Sequence, residues 1–257
     1  MSYAIKLDSI LKILFVLFFL VFSSSCGGGS DDGVSSDCGN FRIINGEECS
    51  RTTIPTVLLE IATPLGSAIC TGTIIGNSAI LTAAHCAEGV TAARIIHDNG
   101  VVDGEVAIAH PFFDGSSDFD IGLILASNVS GILGVAPAVV GSFTEVSIGD
   151  RLTVIGYGRN EDGLSGLGLP GANPRVTDIE VVDINPTIIA NTFEATNSNA
   201  CFGDSGAAAF WDGRIVGVES AGTTSTCQEG DINFFTRTRS QGAFDFISGN
   251  VPDAQFE

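Results

Sequence analysis

From Thr56 onward the apolar positions come in short runs broken by Gly, Asn, Asp and Pro. The runs include TVLLEIA (56–62), AICTGTIIG (68–76), AILTAA (79–84), RLTVIGYG (151–158), RVTDIEVVDI (175–184), AAAFW (207–211) and RIVGVES (214–220). Many short β-rich runs with turn signals between them predict an all-β chain, a sandwich or a barrel. SQGAFDFISG (240–249) is the exception and predicts a short helix near the C-terminus, while the glycine-rich NEDGLSGLGLPGANP (160–174) reads as a surface loop. No internal repeat and no long linker follows Asn40.

The N-terminal segment follows another rule. Lys6 and Lys12 precede an unbroken apolar run, Ile13 to Phe22, which ends in Ser23-Ser24-Ser25-Cys26. Ten apolar residues span about half of a ~30 Å hydrocarbon core as a helix, which is too short for a stable anchor. Positive flank, short apolar centre and small residues together predict a secretory signal over residues 1–25. Cys26, followed by GGGSDDGVSSD, resembles the acylation site of a bacterial lipoprotein, with residues 26–42 as a flexible tether and propeptide. Ser23 stands where such signals usually carry Leu, and without acylation Cys26 is a spare thiol. The expected location is the bacterial outer membrane or cell surface for a lipoprotein, and otherwise secreted or periplasmic.

Composition narrows the classes further. The 257 residues carry 11 basic and 30 acidic side chains, a formal net charge of −19. Loss of residues 1–25 removes both lysines and Asp8, leaving −20 and a lysine-free body. That balance excludes a nucleic-acid partner, because nothing neutralises a run of phosphates. It also disfavours an anionic lipid surface. Seven cysteines is an odd number. Setting Cys26 aside leaves Cys38, Cys49, Cys70, Cys86, Cys201 and Cys227, enough for three disulfides in any of about 15 pairings. No C-x-x-C pair occurs and the three histidines are scattered, so neither a metal nor another cofactor is expected.

Three strings carry chemistry: LTAAHC (81–86), DFDIGL (118–123) and CFGDSG (201–206). A serine hydroxyl is a poor nucleophile until an imidazole removes its proton, and that imidazole needs a carboxylate to fix its tautomer. Glycines beside the serine let backbone N–H groups approach a developing oxyanion. The chain therefore holds a base, an orienter and a nucleophile in the order His, Asp, Ser.

These strings, with IINGE (43–47) upstream and IGYG (155–158) between, resemble the chymotrypsin/trypsin family of serine proteases over roughly residues 43–248. The resemblance implies His85 as general base, Asp120 as its orienter and Ser205 as nucleophile, with the N–H groups of Gly203 and Ser205 as oxyanion hole. It implies two Greek-key six-stranded β-barrels packed face to face and a short C-terminal helix. The protease domain then runs over 43–257, with barrel one at about 43–148 and barrel two at about 149–240. Asp118 rivals Asp120, but Asp120 directly precedes the apolar run. His110, in IAHPFF, reads as structural, and His97, in the turn-like HDNG, as solvated.

The same resemblance places an activation cleavage after Arg42, freeing the Ile43 ammonium to pair with Asp204. It pairs Cys70 with Cys86 and Cys201 with Cys227. Cys49 lacks its usual partner, which leaves Cys38 for it, across the activation bond. The expected activity is that of a secreted serine endopeptidase made as a zymogen, acting as a monomer on protein or peptide substrates and cut by an activating protease, another or itself. A protease-fold binding module without activity and an esterase with the same triad are the other readings.

For the substrate pocket the implied residues are Asn199, Glu219, Ser220 and Gly222. Asn199 occupies the floor position where trypsins carry an aspartate. Glu219 stands at a wall position that is normally apolar, and Glu229 and Asp231 lie near the rim. Either a carboxylate enters from the side and selects cationic side chains, or the acids face water and the pocket takes polar or apolar residues. Ala221 stands where the family has Trp, and Ala207 follows Gly206 in place of a second Gly.

Overall fold

The computed structural model describes residues 52–143, 145–159, 174–193 and 199–257. The chain is all-β, with two curled sheets and a short C-terminal helix. The first sheet contains β1 (Thr56–Thr63), β2 (Gly66–Gly76), β3 (Ala79–Thr82), β4 (Ala92–His97), β5 (Gly100–Gly104), β6 (Val106–Ala109) and β7 (Gly122–Leu125). They lie in the antiparallel order β5-β4-β1-β2-β3-β7-β6.

Only Glu105 separates β5 from β6, so the two ends of this sheet are one bent segment. Its first half pairs with β4 and its second with β7, and the sheet closes on itself. Gly104 makes the bend possible, because a Cβ there would sit 2.8 Å from Ile124 and 2.9 Å from Ala93.

The second sheet repeats the device. It contains β8 (Val139–Val140), β9 (Arg151–Gly156), β10 (Arg175–Glu180), β11 (Asp183–Ile184), β12 (Ile188–Thr192), β13 (Ala208–Trp211), β14 (Arg214–Gly222) and β15 (Ile232–Arg237). The order is β10-β9-β13-β14-β15-β12-β11, with β8 alongside β14. Between β10 and β11, Val181 N–H donates to Asp150 O and Val182 N–H to Ala190 O, each at 2.9 Å. One bent segment again joins both ends. Counting each bent segment once leaves six strands on each closed path among the described residues.

Side-chain alternation sorts the core into three clusters. Leu59, Ile74, Ile80 and Ile95 fill the first barrel, and Leu152, Val154, Ile189 and Phe235 fill the second. A third cluster lies between the barrels and joins Leu81 and Leu123 to Ile155, Phe210 and Val218. Strand β3 thus buries Ile80 inward and Leu81 outward, which is why its sequence shows no polar alternation. The helix Gln241–Asn250 covers this seam with Ala243, Phe246 and Ile247. Ser240 caps it, accepting from Ala243 N–H at 3.4 Å.

Candidate active site

His85 lies in a single helical turn, Ala84–Ala87, directly after β3. Asp120 ends the loop into β7. The two approach because residue 122 is glycine: a Cβ there would lie 2.7 Å from Ala83 O and 2.9 Å from the Ala87 methyl. Asp120 Oδ2 is 2.7 Å from His85 Nδ1, and Oδ1 accepts the His85 backbone N–H at 2.9 Å. Ser220 Oγ donates to Asp120 Oδ2 at 2.7 Å. An acceptor carboxylate at Nδ1 places the imidazole proton there and leaves a lone pair on Nε2. Asp120 is buried, while 36% of the His85 side chain faces solvent.

Ser205 belongs to the loop before β13 and shares a cleft of about 770 Å³ with His85, Phe202 and Gly203. Thr71, from β2 of the other barrel, fixes this loop from behind. Its N–H donates to Ser205 O and its Oγ1 to Gly203 O, both at 2.8 Å. The same Oγ1 accepts Tyr157 N–H at 3.0 Å. With these two carbonyls held inward, the N–H groups of Gly203 and Ser205 donate to no protein acceptor among the described residues. Gly203 (φ +100°) and Gly206 (φ +85°) supply the left-handed conformations of the loop. A Cβ on Gly206 would lie 2.2 Å from Thr82 Oγ1.

Asp204 is fully buried and accepts Gly158 N–H at 2.6 Å and Cys201 N–H at 2.9 Å. Gly156 and Gly158 make room for it, since a Cβ on either would lie 2.1 Å from a carboxylate oxygen. Disulfides join Cys70 to Cys86 and Cys201 to Cys227. Cys26, Cys38, Arg42, Ile43 and Cys49 lie outside the described residues, as do the signal and tether segments.

A second cavity of about 360 Å³ opens on the other side of Ser205, bounded by Glu219, Ser220, Gly222, Asp231 and Asn233. Asn199 is fully buried beneath it, donating from Nδ2 to Asp231 Oδ2 at 3.2 Å and accepting from Asn233 Nδ2. Asp231 Oδ1 takes two further donors, Thr223 Oγ1 and Thr224 N–H, each at 2.8 Å. Asp231 is therefore a buried wall residue, whereas Glu229 is exposed. Glu219 is 4% exposed. Burial, then the neighbouring carboxylates of Asp204, Asp231 and Asp120, push its carboxyl well above the usual range.

The remaining candidates separate cleanly. Asp118 is exposed and accepts from Thr187 Oγ1 at 2.6 Å, away from His85. His110 is buried, stacked on Phe119 at 4.9 Å between ring centres, with Nε2 3.2 Å from Gly242 O. His97 corrects an expectation, because it is 4% exposed rather than solvated. Its Nδ1 accepts Asn99 N–H at 3.2 Å, which leaves Nε2 to donate to Ile54 O at 3.2 Å. The turn expected at HDNG is present, but the ring folds back under it. Cys70, His85 and Cys86 form the one cluster of metal-ligating types among the described residues, and its cysteines are consumed by their disulfide.

Reading residues alone passed over Thr71, whose only signal is a polar side chain in the apolar stretch of β2, and Asn233, which resembles any strand polar residue.

The trypsin family model matches residues 43–244. The chain belongs to the trypsin family. Serine protease 1 of Drosophila melanogaster is 28% identical over 82% of this chain and 86% of its own length. Trypsin of Squalus acanthias is 26% identical over 70% of this chain and 85% of its own. The solved structure of HL collagenase superposes with a TM-score of 0.67 at 23% identity, covering 81% of this chain and 98% of that one. As a trypsin-family serine protease, the chain has the fold its barrels display, and its family works on protein substrates.

Proposed function

We propose that this chain is a serine endopeptidase in which Ser205 is the nucleophile, His85 the general base and Asp120 the orienter. The observation that carries the reading is the bonded line Ser220–Asp120–His85, set in one cleft with a serine whose loop offers two uncommitted N–H groups. His85 Nε2 takes the Ser205 proton as Oγ attacks the scissile carbonyl carbon, and the oxyanion settles on the N–H groups of Gly203 and Ser205. Collapse breaks the C–N bond, and His85 returns the proton to the departing amine. Water, deprotonated by His85, then cleaves the acyl-enzyme. Ser220-Ala221-Gly222 in β14, of which Ala221 and Gly222 are exposed, serves as the edge to which substrate backbone is added.

The activation reading belongs to the same proposal. Cleavage after Arg42 frees the Ile43 ammonium for Asp204, and a Cys38–Cys49 bridge keeps the propeptide, with a lipid on Cys26, attached. The exported chain acts at the cell surface.

The test is intact mass before and after cleavage at Arg42, with a fluorophosphonate, beside Ser205→Ala. One adduct appearing only after cleavage, and absent from the variant, is expected. No adduct on folded, cleaved protein would overturn the enzyme reading in favour of a binding module. Separation of the propeptide without reductant would overturn the tether.

A further inference from the structure

Among the described residues lining the cavity beside Ser205, one buried side-chain oxygen lacks a partner. Asn199 links Asn233 to Asp231, and Thr223 and Thr224 complete Asp231. Glu219 Oε2 is buried with no hydrogen-bond partner among the described residues. A buried oxygen of that kind requires an explanation, since native structures pair nearly all of them.

The groups facing Glu219 come from three other segments: Asp204 on the Ser205 loop, Asp231 before β15, and Asp120 before β7, which carries His85 on its far side. All three are carboxylates, and in the cleaved chain the activation reading gives Asp204 the Ile43 ammonium as its partner. An apolar substrate side chain would leave Oε2 unpaired, and an acidic one would meet four carboxyl groups. A guanidinium or ammonium brings both N–H donors and the missing positive charge.

Resting on the protease reading of Ser205, we propose that Glu219, on the wall of the cavity, is the residue that binds a cationic substrate side chain, in place of a charged residue at the floor. Asn199 leaves that floor neutral. Burial and the neighbouring acids push the carboxyl of Glu219 above the usual carboxylate range, so the empty cavity holds it protonated to higher pH than a free carboxyl. Entry of the cation therefore ionises it: the Glu219 O–H bond breaks, its proton passes to water, and the carboxylate pairs with the incoming N–H groups. Selection of a basic residue is thus coupled to release of a proton, and it strengthens as pH rises.

The test uses the full chain cleaved after Arg42, with benzamidine as probe. Calorimetry from about pH 5 to about pH 8, at each pH in two buffers of different ionisation enthalpy, counts protons across the range into which Glu219 is raised. The wild type is expected to release up to about one proton per benzamidine bound. Glu219→Gln, which mimics the protonated shape, is expected to bind about tenfold or more weakly with no proton released. The proton count on the wild type needs no variant, so it decides the matter even if Glu219→Gln misfolds. Binding without proton release, or equal affinity in both proteins, overturns the proposal. Fluorophosphonate labelling of Ser205 in the same samples separates the failures. Labelling without a cation site leaves the protease reading standing, and no labelling removes that reading whatever benzamidine does.

Discussion

His85 Nδ1 and Ser220 Oγ meet at one oxygen, Asp120 Oδ2, each at 2.7 Å, while the second carboxylate oxygen holds the His85 backbone N–H. The ring and the backbone of the same histidine are thus anchored to one buried carboxylate, and Ser220 fixes that carboxylate from the other barrel. Asp120→Asn presents an amide donor to Nδ1, reverses the tautomer and removes the lone pair from Nε2. The expected loss is about 10⁴-fold in kcat at neutral pH with KM little changed. Ser220→Ala removes one charge-assisted bond, and about a tenfold loss is expected. Steady-state kinetics on a peptide ester checks both, and equal effects of the two changes would contradict the assigned order of importance.

Thr71 deserves a pair of variants. Thr71→Val keeps the shape of the buried strand but frees Gly203 O and leaves Tyr157 N–H without its acceptor. The expected cost is about 2 kcal/mol in stability, with a fall in kcat larger than any rise in KM. Thr71→Ser keeps both bonds and should restore most of the rate. Denaturant unfolding beside kinetics reads the two effects separately.

Two glycines predict opposite outcomes. Gly158→Ala drives a methyl into Asp204 and should cost about 3 kcal/mol, with loss of fluorophosphonate reactivity. Gly249→Ala, in the last helix with open space around its Cβ, should gain about 0.5–1 kcal/mol. Thermal unfolding of both against the parent is the measurement.

The Glu219 carboxyl also leaves a mark on stability. Its native pKa lies above the ordinary value of 4.5, so between those two pH values the folded chain holds a proton that the unfolded chain has released. Stability therefore falls as pH rises through that window. Glu219→Gln lacks this titration. The variant should match the parent closely below about pH 4 and exceed it at neutral pH and above. Burial lowers His110, which gives the opposite slope in acid, but both proteins share it and it cancels in the difference. Urea unfolding from pH 4 to 8 checks this, and parallel curves would refute it.

The strands were legible where one face meets solvent or where a run was bounded by turn residues, as in β1, β9 and β14. The string AILTAA, read as one strand, ends at Thr82, and the following turn carries His85. Nothing local distinguishes the two, because Ala83 and Ala84 are buried in either conformation. The run RVTDIEVVDI divides at Val181-Val182, where hydrogen bonding passes from Asp150 to Ala190. A bend set by partners distant in sequence leaves no local signature. Motif strings single out His85, Asp120 and Ser205 because the proposed chemistry demands particular residue types, and the fold brings His85 and Asp120 into contact beside a cleft that Ser205 shares. Thr71 and Asn233 act through hydroxyl and amide groups that many side chains could supply, so only the packed structure reveals them. His97 departs from its expectation for a related reason: a turn sequence specifies the backbone, and the ring's destination depends on Ile54 O.

Thr71 has a consequence for the order in which this chain becomes dangerous. The loop bearing Ser205 is held by a residue of the first barrel, and the carboxylate orienting His85 is held by Ser220 of the second. A nascent or partly denatured molecule with only one barrel closed therefore has neither a shaped oxyanion site nor a fully braced imidazole. On the protease reading, hydrolysis therefore requires docked barrels as well as cleavage after Arg42, and separation of the barrels removes it. A copy whose barrels have not docked thus lacks the braced site that would cut its unfolded neighbours.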